Sequence, residues 1–447
     1  MATFFIENFG CRVTEADTSA LSRSLLRTGL AAVGDPRLAD VVVLNTCTVT
    51  HRADAQAREA IRKIHRLNPG ARIVVTGCYA QRAPEELAAI DGVAWVIGNS
   101  HQTEIPDLVQ GIGRNSGRPG SGNFFPLEHL ANDPLSLARG PAKILTGDIL
   151  AESLSAFPGG PSTTAERDRT RPILKIQDGC QNRCSYCVIP LVRGQSRSLP
   201  PDDVIREVRF LVSAGAKEIV LSGINLGSYG RDLVPRATLA AVVRRILDET
   251  ALEQLRFSSI EPRDITEEFV ALVGSSNRIA PHFHVPLQSG SDRILRKMHR
   301  WYRASHYAQR IRLIRHLLPH AAIGADVIAG FPGETHGDFE TTAQFISELS
   351  FSYLHVFSFS PRPGTPAAQL DDPVEPMEIR ERARALRALS EGKSLAFRSS
   401  QVGQTLRALT LARFQDNWTE ALTGNYLKVR IPGRHPANQW QQAVVTL

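Results

Sequence analysis

The 447-residue chain has 42% hydrophobic and 22% charged residues, a globular balance that excludes wholesale disorder. Its longest apolar runs, such as Val41–Leu44, fall far short of the roughly 18–20 residues a membrane helix needs. The start, MATFFIENFGC, lacks the basic segment of a signal peptide, so we expect a soluble, cytoplasmic protein with no membrane partner. At about 150 residues per domain, the length suggests roughly three domains. The net charge of +7 is carried from Arg380 onward, where 11 basic residues stand against 4 acidic ones, while residues 1–379 are balanced. A basic end on a neutral body points to a polyanion such as nucleic acid; a solvated basic surface is the alternative.

Taken in order, FFIENFG, VVVLNT, RIVVTG and AWVIGN are short apolar runs suited to buried parallel strands. Ala57, Ala60, Ile61, Ile64 and Leu67 repeat at helical spacing, and Asn68-Pro69-Gly70 ends that helix. Strands alternating with helices over residues 1–110 predict a doubly wound parallel sheet. Residues 111–170 hold nine Gly and six Pro and read as a linker. From 171 the alternation resumes with PILKIQ, KEIVLSG, LRFSSI, HFHVPL, AAIGADVIAG and YLHVFSFS. Six β/α units over 171–379 fit an open partial barrel, with a second doubly wound sheet as runner-up. A helix face of Val204, Ile205, Val208, Leu211 and Val212 lies between Pro201 and Gly215. Residues 380–447 read as a basic helix followed by a small antiparallel β-barrel built from LRALTLARF, TEALTG and YLKVRI.

Six cysteines carry the chemistry. Cys180, Cys184 and Cys187 form C-x3-C-x2-C directly after the strand PILKIQ. Three thiolates on one tight loop can hold three corners of a cubane iron–sulfur cluster, leaving one iron open for a methionine-type amino and carboxylate chelate. A structural zinc site fits less well, because no further Cys or His follows nearby. Cys11, Cys47 and Cys78 each end an apolar strand, at separations of 36 and 31 residues, about one β/α/β step. The carboxyl ends of parallel strands converge where such sheets bind ligands, so these three predict a second open-site cluster. Three unrelated core cysteines are the bland alternative.

The C-x3-C-x2-C loop after the first barrel strand resembles the radical S-adenosylmethionine (SAM) enzymes. With the second cysteine triplet, the chain resembles the methylthiotransferases over nearly its whole length. That resemblance implies an α/β fold: an N-terminal doubly wound parallel sheet, a central open (β/α)6 radical SAM partial barrel and a C-terminal TRAM-like RNA-binding barrel, here Thr405–Val429. It implies two 4Fe-4S clusters, on Cys11, Cys47 and Cys78 (auxiliary) and on Cys180, Cys184 and Cys187, and SAM as cofactor. Ser222, Gly223 and Asn225 match positions at the SAM amino group. Ser259 and Glu261 match positions near the ribose. His284, Pro286, Gln288 and Ser289 resemble the PLQSG motif, and Gly330–Glu334 a loop near the adenine. Arg193, Arg197 and Lys428 are candidate RNA contacts. A flavodoxin- or ferredoxin-like electron donor and a tRNA substrate complete the implied partners.

Asn45-Thr46-Cys47-Thr48-Val49-Thr50 with Ala53-Asp54, and Ile176–Cys180, resemble the branch that modifies threonylcarbamoyl-adenosine beside the tRNA anticodon. The branches acting on isopentenyl-adenosine or a ribosomal-protein aspartate carry other residues after the second Cys. The resemblance implies one SAM spent on the radical, a second as methyl donor, and sulfur attached to the adenine carbon between two ring nitrogens. Thr14 stands where the family usually has Asn, and Leu199 where it often has Arg. The non-enzymatic alternative is a zinc-stabilised RNA-binding protein.

Overall fold

The computed structural model describes residues 1–110, 142–149 and 170–446. Two compact units divide them. The first takes the chain up to residue 149, with Gly179–Gln181 and Val188–Gln195. The second takes residues 170–178, Asn182–Cys187 and Ser196 onward.

The first unit is built on a six-stranded parallel sheet: β1 (Thr3–Phe9), β2 (Ala31–Ala32), β3 (Val41–Thr46), β4 (Arg72–Gly77), β5 (Val93–Ile97) and β6 (Lys143–Leu145), in the order β2-β1-β3-β4-β5-β6. Its strands read as unbroken apolar runs because both faces are covered. Helices α1 (Arg12–Arg27) and α5 (Ile105–Gln110) bury Leu21, Leu25, Ile105 and Val109 on one face against Phe4, Val41, Val43 and Ile97. On the other face α2 (His51–Leu67), α3 (Cys78–Arg82) and α4 (Pro84–Ala88) bury Ile61, Ile64, Tyr79 and Leu87 against Val42, Leu44, Ile73 and Val75. The sheet is doubly wound, as expected, and its chain order reverses between β1 and β3. The four long runs read from the sequence are β1, β3, β4 and β5. Two strands were not legible: β2 has only two residues, and β6 lies inside the Gly/Pro-rich stretch read as a linker. The remainder of that stretch, 111–141 and 150–169, lies outside the described residues. Helix α6 (Ile189–Arg193) also belongs to this unit and sets Val188 and Val192 against Cys78.

The second unit holds six parallel strands: β7 (Ile173–Asp178), β9 (Glu218–Gly223), β10 (Gln254–Phe257), β11 (His282–His284), β12 (Ala322–Ala329) and β13 (Tyr353–Ser358). The short antiparallel β8 (Arg197–Ser198) lies beside β7. Isolated parallel bridges, Leu255 to Ile279 and Ser259 to His284, join the β10 and β11 halves, giving the open six-unit partial barrel. Alternate residues face two ways. Leu221, Leu255, Phe257, Phe283, Ile323, Ala325 and Leu354 pack in the core under the helices, so Glu218, Ser222, Arg256, His282, His284, Asp326, Tyr353 and His355 face the barrel interior. Helix α7 (Pro201–Ser213) buries Val204, Ile205, Val208 and Leu211, as its periodicity predicts.

The basic helix runs from Pro376 to Ser399 and leads into an antiparallel half-barrel: β14 (Thr405–Gln415), β15 (Trp418–Thr423), β16 (Lys428–Pro432) and β17 (Trp440–Val444), in the order β16-β15-β14-β17. The turn between β15 and β16 closes the strand-start end of the partial barrel. There Tyr426 stacks on His282 with ring centroids 4.3 Å apart, and Arg256 donates to the carbonyls of Gly424 (2.9 Å) and Thr423 (3.1 Å) and to Glu218 (2.7 Å). Arg256 and Glu218 are both fully buried. Removing one partner of such a pair strands the other charge. Glu218→Ala is therefore expected to destabilise the second unit by about 3–5 kcal/mol, read as a lowered midpoint in urea unfolding; an unchanged midpoint would show that the carbonyls alone satisfy Arg256.

Candidate functional sites at the strand ends

Cys11, Cys47 and Cys78 follow β1, β3 and β4, the strands around the order reversal, at their carboxyl ends. Cys11 is exposed at the N-cap of α1, while Cys47 and Cys78 are buried. Burial pushes the Cys47 thiol up to about 12, and charge on Cys78 and Cys11 pushes the same way. Two glycines make room. A Cβ on Gly10 would lie 2.8 Å from the Cys47 Cβ, and one on Gly77, whose φ is +97°, 2.4 Å from both the Asn45 Oδ1 and the Thr46 carbonyl oxygen. Thr14 donates its hydroxyl to the Cys11 carbonyl (2.8 Å) and Asn45 donates to the Thr14 carbonyl (2.9 Å), so this departure from the family pattern is built into the cysteine loop. Thr48, Asp54 and Arg82 form a buried network behind Cys47: Thr48 donates to Asp54 (2.7 Å) and Arg82 donates to Thr48 (2.7 Å). Thr50 caps α2 by accepting from the Ala53 amide.

Arg193, expected at an RNA surface, is instead buried. It pairs with Asp17 at 2.8 Å and donates through Nε to the Cys78 Sγ at 3.2 Å. Its position at the end of α6, which packs on Cys78, explains the correction. Burial raises the Cys78 thiol, and the Arg193 charge opposes that rise. Three anionic thiolates in such a place need a cationic group.

The C-x3-C-x2-C loop leaves the end of β7. In the first unit, the Cys180 amide donates to the Gly194 carbonyl (3.0 Å), and Gly179, at φ +68°, has no room for a Cβ against the Gln195 carbonyl. In the second, Ser185 anchors the loop, its amide donating to the Met298 carbonyl (3.0 Å) and its hydroxyl to the Lys297 carbonyl (2.8 Å). Tyr186 packs with Ile294, Met298 and Phe331, so the Gly330–Glu334 loop supports the cysteine loop through Phe331. Arg300 donates to the Cys184 Sγ at 3.1 Å and pairs with Glu261. Burial raises the Glu261 carboxyl against that arginine's charge.

The residues matched to SAM gather around the carboxyl ends of the barrel strands. Ser222 ends fully buried with no hydrogen-bond partner for its hydroxyl, and so does Ser258 next along, which sequence reasoning missed. Orphaned buried hydroxyls fit a polar ligand. Gly223 leaves space for Gln177, which accepts from the Asn225 amide at 2.7 Å. Ser259 bridges to His284, and Gln288, at φ +66°, bridges to Val327. Arg197 lies on β8, partly buried opposite Asp178. Lys428 is exposed on β16, 3.1 Å from Glu420. The sequence also gave no warning of Arg300 or Asp17; a lone acid within the apolar run AAIGADVIAG was the available signal for Asp326. Among the described residues, His284, Asp326 and His355 are the three metal-type ligands whose donor atoms lie within 4.8 Å of one another.

Residues 3–98 match the Uncharacterized protein family UPF0004 and residues 174–346 the Radical SAM superfamily. The chain is 36% identical to the Threonylcarbamoyladenosine tRNA methylthiotransferase MtaB of Bacillus subtilis, covering 97% of this chain and 91% of that protein. It is 35% identical to the protein of that name from Aquifex aeolicus, covering 96% of each. The chain belongs to the radical SAM methylthiotransferases. A tRNA-2-methylthio-N(6)-dimethylallyladenosine synthase of Syntrophobacter fumaroxidans is 34% identical, covering 85% of this chain and 78% of that protein. Among solved structures, the radical S-adenosylmethionine methyltransferase TsrM of Kitasatospora setae matches with a TM-score of 0.57 at 17% identity, covering 82% of this chain and 77% of that one, which supports the fold. Methylthiotransferases of this family use SAM and two 4Fe-4S clusters, and the thiols of the first unit are donors of the type such a cluster takes. Gly77→Ala in this methylthiotransferase is expected to lower bound iron to about half the wild-type value by displacing Cys78, measured by iron assay after anaerobic reconstitution; full iron would show that the Cβ is tolerated.

Proposed function

We propose that this methylthiotransferase inserts a methylthio group at the adenine carbon between two ring nitrogens of threonylcarbamoyl-adenosine, beside the anticodon of tRNA. The observation that carries the reading is the pair of three-cysteine sets, each at the carboxyl end of parallel strands, in a chain whose MtaB-named relatives match it almost end to end. Cys180, Cys184 and Cys187 would hold the cluster that binds SAM, and Cys11, Cys47 and Cys78 the auxiliary cluster. When bound, these groups supply a 5′-deoxyadenosyl radical and the sulfur, with a second SAM giving the methyl group. The protein's part is to bind and orient. The buried Ser222 hydroxyl and the Asn225 backbone fixed by Gln177 would receive SAM's amino-acid end, and Arg300 would hold Cys184 and Glu261 in place. Electrons would come from a flavodoxin- or ferredoxin-like donor in the cytoplasm; no helix among the described residues is long and apolar enough to cross a membrane.

The RNA would meet the C-terminal half-barrel and the helix before it, where Arg384, Arg387, Lys428, Arg430 and Arg434 are exposed. Arg382 is buried against Glu334 and does not belong to that surface. If these side chains neutralise several phosphates, log affinity for tRNA falls steeply with log salt; a flat response removes the electrostatic role. The decisive experiment for the reaction is mass spectrometry of tRNA nucleosides from a strain lacking the gene. Loss of 2-methylthio-threonylcarbamoyl-adenosine, restored by the wild-type gene, is expected. Its persistence, or loss of the methylthiolated dimethylallyl nucleoside in its place, would overturn the substrate assignment.

A further inference from the structure

We propose that His355 and His284, tied together by Asp326 inside the partial barrel, form the pocket that recognises the carboxylate of the substrate's threonylcarbamoyl group. This rests on the reading above and adds the residues that choose between substrates. The relatives' names divide them by the group on the adenine N6: threonylcarbamoyl ends in a carboxylate and carries a hydroxyl, whereas dimethylallyl is a hydrocarbon. A protein that accepts the first needs a charge-complementary surface where that group enters.

The barrel interior supplies one. His284, Asp326 and His355 come from the neighbouring strands β11, β12 and β13 and face the same side, opposite Phe283, Ala325 and Leu354 of the core. The strand-start end beneath them is closed by Tyr426, His282, Arg256 and Glu218, so the interior opens toward the strand carboxyl ends, where the cysteine loop lies. Asp326 Oδ1 is 2.9 Å from His284 Nε2 and 3.3 Å from His355 Nδ1. The Tyr353 hydroxyl lies 3.2 Å from His284 Nδ1, so both nitrogens of His284 are engaged. Burial works against the Asp326 carboxylate, but bonds from both imidazoles hold it well below the usual carboxylate range. Asp326 is thus a fixed anion whose role is to orient.

His355 is the outlet of this arrangement. Its side chain is 55% exposed although its Nδ1 is held by Asp326. A substrate carboxylate arriving at Nε2 would meet a ring fixed in direction by Asp326, and pairing with the protonated ring is a charge-assisted hydrogen bond. Phe357, two residues on along the same face, is also exposed and offers a ring beside that contact. A dimethylallyl group in the same place would desolvate the imidazole without pairing it, a cost that rejects the hydrocarbon.

The test compares wild type, His355→Phe and His355→Arg on three tRNAs bearing threonylcarbamoyl-adenosine, its methyl ester, or dimethylallyl-adenosine. Iron content and thermal unfolding establish that each variant is folded. For His355→Phe, KM for the acid substrate is expected to rise about 10- to 100-fold, with the ester used as well as by wild type and the dimethylallyl substrate used better. His355→Arg is expected to recover the preference for acid over ester. Equal losses on acid and ester, or no loss, would overturn the proposal. So would one equivalent of zinc in the wild-type protein that disappears in both variants, since the same three side chains could ligate a metal. If wild type itself acts on the dimethylallyl tRNA and not on the acid, the substrate reading has failed, and that is visible before any variant is compared.

Discussion

Parallel strands deliver their carboxyl ends to one edge, and in the first unit of this protein that geometry brings together Cys11, Cys47 and Cys78, which the sequence separates by 36 and 31 residues. Buried thiolates repel one another and lose water, which is why burial and its neighbours push the Cys47 thiol upward. Such a trio is stable in its charged form only around a cationic group. The glycines before Cys11 and Cys78 let the loops approach, and the Thr50 cap of α2 fixes where the loop after Cys47 ends.

Both cysteine sets meet the same physical device. A buried arginine donates to one cysteine sulfur and is itself held by a carboxylate: Arg193 with Asp17 at Cys78, Arg300 with Glu261 at Cys184. Donors to a ligand sulfur favour its anionic form and tune the metal group it holds. The guanidinium must be paired, because an unpaired charge in these places would be costly. This explains why Arg193, a candidate phosphate contact when judged by charge alone, is buried instead.

Periodicity made most of the fold legible. Long apolar runs became β1, β3, β4, β5 and the six barrel strands, and the face of α7 packed as its spacing indicated. Short elements escaped: β2 has two residues and β6 sits among glycines and prolines, where local propensity says turn and only pairing with β5 makes a strand. The placement of Cys11, Cys47 and Cys78 after three parallel strands was legible because each ends an apolar run, and that of the C-x3-C-x2-C loop because it follows PILKIQ. Arg300, Asp17 and the His284–Asp326–His355 group were not, because their meaning lies in neighbours far along the chain, and a charged residue in a sequence reads first as surface. The Thr48–Asp54 segment, noticed as a branch resemblance, has a local physical role in bracing the turn after Cys47.

The most direct test of two separate thiolate triplets is Mössbauer spectroscopy of the anaerobically reconstituted, iron-57-enriched protein, with Cys11, Cys47 and Cys78 all replaced by Ala in one variant and Cys180, Cys184 and Cys187 in another. Wild type is expected to show two 4Fe-4S clusters per chain and each variant one, with SAM perturbing the spectrum only where the second triplet is intact. One cluster in wild type, or loss of both from the variant lacking the first triplet while the protein stays folded, would contradict the assignment.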